Sequence, residues 1–236
     1  TIALNNEKLL GKEHTFEIEG KEDSDEITFD TEGRAVVTLK DKEYIKILNL
    51  PYGTGYTITE ADYSDNYNTQ ILVNGEIVAE ATGGVTDEYL QEVEFINQRL
   101  LGNLKITKYV TASEEDGREF NFTITLTNDN LLGKENTFPC SGLEGINAIT
   151  FDAEGKATVS LKDNEYLEIE GLPHGTGYTV TEEDYGESYS TQVKKDGEVL
   201  SQNTIAGTIT VEEVQDIEFY NYRRFGHLAL AKTVSN

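Results

Sequence analysis

"LGNLKITKYV" (101–110) alternates as a β-strand does, with Leu104, Ile106, Lys108 and Val110 on one face. A lysine thus takes an inward position on an otherwise apolar strand. The chain closes on the same pattern. "FGHLALAKTV" (225–234) repeats it 124 residues later, with Leu228, Leu230, Lys232 and Val234 on one face. A strand that carries a lysine toward a core, and occurs twice, decides how the rest divides.

Working outward, the chain repeats itself. "TIALNNEKLLGKEHTF" (1–16) returns as "TITLTNDNLLGKENTF" (123–138), and "ITFDTEGRAVVTLKDKEY" (27–44) as "ITFDAEGKATVSLKDNEY" (149–166). "LPYGTGYTITEADY" (50–63) returns as "LPHGTGYTVTEEDY" (172–185), all at one offset, 123 − 1 = 122. "EFINQR" (94–99) matches "EFYNYR" (218–223) at 124, so the second copy has two extra residues, expected near 205–212. Each copy reads as antiparallel β. "TEGR" and "AEGK" are turns, and the Asn-Gly of "VNGE" (73–76) and Asp-Gly of "KDGE" (195–198) signal tight hairpins. Short strands at regular spacing, with 3 prolines and no long helical periodicity, predict β-sandwiches. The counterpart of Lys108 in the first copy would fall at 108 − 122 = −14, before residue 1. Residues 1–100 therefore read as a repeat lacking its first strand, 101–224 as a complete repeat, and 225–236 as the first strand of a following one.

With 44 acidic and 19 basic residues the net charge is −25, which argues against nucleic acid and anionic membranes. Acidic clusters such as "KEDSDE" (21–26) and "SEED" (113–116) lack the spacing of a calcium loop. No apolar run is long enough to span a bilayer, and a secretion signal, if one exists, lies outside this stretch. The single Cys140 makes no intramolecular disulfide and reads as a small core hydrophobe. "GTGY" (53–56, 175–178) precedes strands and reads as a turn, while His14, His174 and His227 share no metal spacing and read as surface residues. No cofactor is expected.

Two more polar residues take inward positions. Glu182 follows Tyr178 and Val180, and Asn221 follows Ile217 and Phe219; the first copy repeats both, as Glu60 after Tyr56 and Ile58, and Asn97 after Val93 and Phe95. Unpaired polar groups are costly to bury, so the three need a common arrangement. One is a structural ion pair with a hydrogen-bonded amide. The other is chemical. Burial turns lysine toward a neutral nucleophile and keeps glutamate protonated, able to polarise the asparagine carbonyl and pass protons as ammonia leaves. The product is a Lys–Asn amide bond, formed once per domain without turnover, so the chain is not an enzyme in the ordinary sense.

"LKITKYV … YTVTEEDY … IEFYNYR" resembles the intramolecular isopeptide domains of Gram-positive pilins and cell-wall adhesins, of the streptococcal-pilin and collagen-adhesin B type. The resemblance implies elongated, tandem Ig-like β-sandwiches in a secreted, wall-associated protein. It implies Lys108 and Asn221 as the crosslinked pair with Glu182 as catalyst, Glu60 and Asn97 as a set without a lysine, and Lys232 as a lysine without a set. The leading expectation is a stalk or fibre module; the alternative is a ligand-binding sandwich for carbohydrate or host protein. Lys232 is expected to serve the next repeat, in a continuation of the chain or in another copy whose Glu60 and Asn97 it reaches.

Overall fold

A computed structural model of the chain describes residues 1–87, 89–111, 117–211 and 213–233. The chain forms two compact units, Thr1–Gln98 and Arg99–Asn236. A family of short strands dominates both, and the described residues include one 3-10 turn, Glu7–Leu9.

The first unit comprises β1 (Ile2–Asn5), β2 (His14–Glu19), β3 (Glu26–Phe29), β4 (Arg34–Ala35), β5 (Lys46–Ile47), β6 (Gly55–Ile58), β7 (Tyr67–Val73), β8 (Glu76–Val78), β9 (Ala81–Gly84) and β10 (Val93–Arg99). The second comprises β11 (Leu101–Thr111), β12 (Phe120–Thr127), β13 (Asn136–Ser141), β14 (Ala148–Phe151), β15 (Lys156–Leu161), β16 (Tyr166–Pro173), β17 (Gly177–Glu182), β18 (Tyr189–Lys195), β19 (Glu198–Leu200), β20 (Thr204–Thr208) and β21 (Gln215–Arg223).

In the second unit a seven-stranded sheet, β14-β13-β16-β11-β21-β18-β19, packs on a four-stranded sheet, β15-β12-β17-β20. Their inner faces meet through side chains such as Phe122 and Phe219, edge to face at 5.0 Å. Strand β11 is central and pairs parallel with β21 and antiparallel with β16. Leu104, Ile106, Ile217 and Phe219 are fully buried, as the period-two reading of their strands requires. Cys140 joins this core.

The first unit keeps the four-stranded sheet, β4-β1-β6-β9, but its other sheet is in two pieces, β3-β2-β5 and β10-β7-β8. Matched by the repeat, the gap falls where β11 lies in the second unit. Nothing among the described residues joins β5 to β10. Burial is lost with the missing residues: Leu39 is 42% exposed, whereas its counterpart Leu161, paired with Phe120 at the start of β12, is 0% exposed.

Turn chemistry follows the sequence. The Asn74-Gly75 and Asp196-Gly197 pairs, all at positive φ, close the β7–β8 and β18–β19 hairpins. In "TEGR" and "AEGK", Gly33 and Gly155 sit at φ 75°, and a Cβ there would press on the Leu4 and Leu126 carbonyls.

Three expectations change. The two extra residues lie between Leu200 and Ile205, not near 205–212, because Val180 pairs with Ile205 as Ile58 pairs with Ala81. A hairpin end absorbs the insertion without disturbing either register. Residues 225–233 join no sheet, and Leu228 and Leu230 are each 97% exposed; a strand with no neighbour has nothing to bond its backbone. Val234 and the "SEED" cluster lie outside the described residues. His14 and His174 are half-buried rather than at the surface; His227 is exposed.

Candidate crosslinking site

Lys108, Glu182 and Asn221 converge in the second unit. Lys108 and Asn221 come from adjacent parallel strands of the large sheet, where Lys108 is level with Phe219 and Asn221 with Val110. Glu182 ends β17 on the facing sheet, level with Phe122 of β12. All three are 0% exposed. The Lys108 Nζ lies 3.0 Å from Glu182 Oε1, and Asn221 Nδ2 donates to that same oxygen at 3.1 Å. Lys108 Nζ also donates to the Phe219 carbonyl at 3.3 Å and sits 4.7 Å from the centre of the Phe120 ring. Glu182 Oε2 and Asn221 Oδ1 are buried without partners.

The surroundings set the protonation. Burial among Phe120, Phe122 and Phe219 pushes the Lys108 amine down to about 8, against the opposing pull of Glu182 and, more weakly, Asp163. Burial likewise pushes the Glu182 carboxyl up, against the attraction of Lys108 and hydrogen bonds from Asn221 and Thr191. Both shifts favour the neutral forms, an amine and a carboxylic acid.

The first unit holds the corresponding pair in the open. Asn97 Nδ2 donates to Glu60 Oε1 at 2.7 Å, and Thr69 donates to Asn97 Oδ1 at 2.5 Å. Glu60 is half-buried and Asn97 exposed, so the inward position read from the sequence does not produce burial there. Lys232 is exposed, and it is not brought to any glutamate–asparagine pair.

Several residues at the site escaped the sequence reading. Thr191 lies opposite Asn221 on β18, as Thr69 is bonded to Asn97; "YNTQ" (67–70) and "YSTQ" (189–192) repeat that threonine at offset 122. Asn203, just after the two-residue insertion, holds the Glu182 backbone at both ends: the Glu182 amide donates to Asn203 O at 2.8 Å, and Asn203 Nδ2 donates to Glu182 O at 2.9 Å. Phe120 was not singled out, since an inward phenylalanine looks like any other core residue.

A family model described as "Domain of unknown function (DUF7601)" matches residues 1–99 and again residues 102–223. The chain is 35% identical over 122 residues to the pilus tip adhesin Cpa of Streptococcus pyogenes, covering 50% of this chain and 16% of that protein. It is 26% identical over 200 residues to a pilin of Streptococcus pyogenes serotype M1, covering 81% of this chain and 56% of that protein. The chain thus spans less than two thirds of either relative. The crystal structure of the major pilin from Streptococcus pyogenes matches with a TM-score of 0.53 at 18% identity, over 95% of this chain and 98% of that one. The major pilin T3.2 of the same species matches with a TM-score of 0.53 at 15% identity, over 94% and 97%. At these identities the structural likeness is one of fold, the β-sandwich architecture of streptococcal pilins. The pilin-type resemblance read from the sequence and these relatives agree, and both named relatives are pilus proteins of a Gram-positive cell surface.

Proposed function

The chain belongs to the DUF7601 family in two tandem copies, and from that premise we propose that it is a structural module of a surface pilus or adhesin whose second unit crosslinks itself. The observation that carries the reading is the fully buried convergence of Lys108 and Asn221 on one oxygen of Glu182. An ion pair alone accounts poorly for it. Burying two charges seldom stabilises a core more than apolar residues of similar size, and two polar atoms here remain unpartnered.

In the reaction, neutral Lys108 Nζ attacks Asn221 Cγ. Protonated Glu182 donates a hydrogen bond to Asn221 Oδ1, which a half-turn of the amide about its own axis presents to the carboxyl. The Nζ–Cγ bond forms, the Cγ–Nδ2 bond breaks, and Glu182 relays the proton from the lysine nitrogen to the departing ammonia. No cofactor enters, because the fold supplies proximity in a dry site. The bond ties the first strand of the unit to its last. Tension entering at β11 and leaving at β21 then passes through a covalent link rather than through the sheet's hydrogen bonds.

For the first unit, the split sheet and the paired Glu60 and Asn97 fit a strand with an inward lysine, of the kind residues 225–233 supply. A preceding stretch of the same polypeptide and the Lys232 strand of another copy are both suitable sources. The relative named as a pilus tip adhesin supports a second reading, a module that binds carbohydrate or host protein; glycan and matrix-protein arrays test it.

Intact mass decides the main reading. The chain is expected to be lighter than its sequence by one ammonia, with Lys108 and Asn221 recovered in one branched peptide after proteolysis. A full-mass chain overturns it. Strand donation between copies is expected to give a ladder on a denaturing gel that Lys232→Ala removes; a single monomer band leaves continuation within one polypeptide as the source.

A further inference from the structure

The turn between β15 and β16, "KDNEY" (162–166), grips β11 beside the reactive lysine. Pairing of β11 with β16 runs only as far as Thr107 opposite Tyr166. Beyond it, on that side, the backbone is held by the turn. The Lys108 amide donates to the Glu165 carbonyl at 2.9 Å, and the Asn164 amide donates to the Lys108 carbonyl at 2.8 Å. The Val110 amide donates to Asp163 Oδ1 at 2.6 Å. This last bond comes from a charged side chain, the strongest kind of contact in the set.

The turn shapes itself. Asn164 stands at φ 64°, the Lys162 amide donates to the Glu165 carboxylate at 2.8 Å, and the Glu165 amide donates to the Lys162 carbonyl at 3.1 Å. In the first unit "KDKEY" (40–44) repeats this without a strand to grip: Lys42 at φ 64°, Lys40 to the Glu43 carboxylate at 2.7 Å, Glu43 to the Lys40 carbonyl at 3.0 Å. A conformation that persists when nothing lies against it is preformed. Asp163 is therefore held ready: its Oδ2 accepts from Asn164 Nδ2 within the turn at 3.0 Å, which leaves Oδ1 free for β11.

We propose that Asp163 is a positioning residue for the Lys108–Asn221 crosslink: by holding the Val110 amide it anchors the β11 backbone just past Lys108, so that the amine is kept against Glu182 and within reach of Asn221. This rests on the crosslinking reading above. The charged groups around Lys108 are Glu182 from β17, Asp163 from this turn and the Arg118 guanidinium, 5.8 Å from the centre of the same Phe120 ring. Asp163 thus acts in two separable ways. Its oxygen anchors the strand, and its negative charge favours the protonated amine.

The test follows crosslink formation in the full chain after cell-free synthesis, by mass spectrometry over a pH series, with Asp163→Ala, Asp163→Asn and Asp41→Ala. Misplacing a reacting group by an ångström slows a reaction by up to about 100-fold, so Asp163→Ala is expected to lose roughly that much. Asp163→Asn keeps an acceptor oxygen and removes the charge. It is expected to restore most of the rate and to move the rise of rate with pH toward lower pH, which a purely structural role does not do. Asp41→Ala, in the same turn of the other unit, is expected to change nothing in the second unit. The proposal is overturned if Asp163→Ala crosslinks as fast as the parent, if Asp163→Asn is as slow as Asp163→Ala, if its pH profile does not move, or if Asp41→Ala slows the second unit equally. A parent chain that forms no crosslink at all instead defeats the reading on which the proposal rests.

Discussion

The two units repeat one sequence pattern and hold the same glutamate–asparagine pair, yet only one brings a lysine to it. In the second unit the Asn221–Glu182 contact is sealed, with both residues fully buried; in the first, Asn97 reaches Glu60 at 2.7 Å and remains exposed. The difference is β11 together with the start of β12, since the counterparts of Phe120 and Phe122 would also fall before residue 1. With β11 present the large sheet is continuous and its inner face is dry; without a counterpart the sheet divides between β5 and β10. The contact is thus local, made by Glu60 just past β6 and Asn97 of β10 with Thr69 of β7 beside it, whereas the burial that the proposed chemistry needs comes with the strand that brings the lysine. The lysine and the cover arrive together, and in the first unit, which has neither, Glu60 Oε2 is buried without a partner.

The largest effect is expected from the catalyst. Removing a positioned general acid–base group slows a reaction by on the order of 100- to 10,000-fold, so Glu182→Ala should keep the second unit at full mass over days. Glu60→Ala should leave the chain's mass deficit unchanged. A deficit that survives Glu182→Ala breaks the comparison at its root, because proximity alone would then suffice.

Stability comes next. The proposed bond would close a loop of 221 − 108 = 113 residues, and by analogy with a disulfide its loss would remove about 4–5 kcal/mol from the second unit. Asn221→Ala should show this in urea unfolding followed by a probe in that unit. Asn97→Ala, at an exposed position, should cost no more than about 1 kcal/mol. Comparable losses in the two units would mean that the crosslink contributes no stability.

Much of this contrast was legible in the sequence. Period-two alternation gave the strands, the offset of 122 gave the repeat, and three polar residues on apolar faces gave the site. The burial of each was not legible, because alternation says which face a residue takes and not whether that face is covered. Glu60 and Asn97 show the limit: correct face, no cover. The segment 225–233 shows it again, with a strand's pattern and no sheet to join. The contribution of Asp163 was hidden for a different reason. Its oxygen meets a backbone amide, and a backbone amide leaves no mark in a sequence.

The pH dependence sharpens the comparison more gently. The folded Lys108 amine sits at about 8, below its ordinary 10.5, so its neutral fraction falls about tenfold for each pH unit below that value. Crosslinking should slow accordingly in mildly acidic buffer. It should slow again at high pH, once Glu182, whose carboxyl burial pushes up, loses its proton. In Asn221→Ala, which cannot crosslink, linkage gives a second readout. Between about 8 and 10.5 the unfolded chain binds more protons at this lysine than the folded one, so its contribution to stability increases as pH rises across that window. The Glu182 contribution has the opposite sign and begins lower: its folded carboxyl keeps a proton that the unfolded one loses above 4.5, so stability falls as pH rises from there. A flat rate profile would mean that neither neutral form is required.

The smallest effect is expected beside the two residues by which the copies differ in length. Asn203 adjoins that insertion and matches Ala79 by register, and its two bonds to the Glu182 backbone, at 2.8 and 2.9 Å, have no equivalent among the described bonds of Glu60. One of the two uses the Asn203 backbone carbonyl and survives any side-chain change. Asn203→Ala therefore removes one of the two bonds to Glu182, with a long 3.5 Å bond from Thr204 Oγ1, and leaves the Glu182 carbonyl short of a donor, a loss of about 1–2 kcal/mol. If that loss is felt equally before and during the reaction, the second unit is less stable and crosslinks at the parent rate. If it loosens Glu182 only as the proton is relayed, crosslinking slows by roughly tenfold while the unfolding midpoint of the uncrosslinked Asn221→Ala background barely moves. Asn203 lies beside the end of the strand that carries the acid, and that placement favours the second result; an unchanged rate would leave Asn203 a support of the hairpin without bearing on the chemistry.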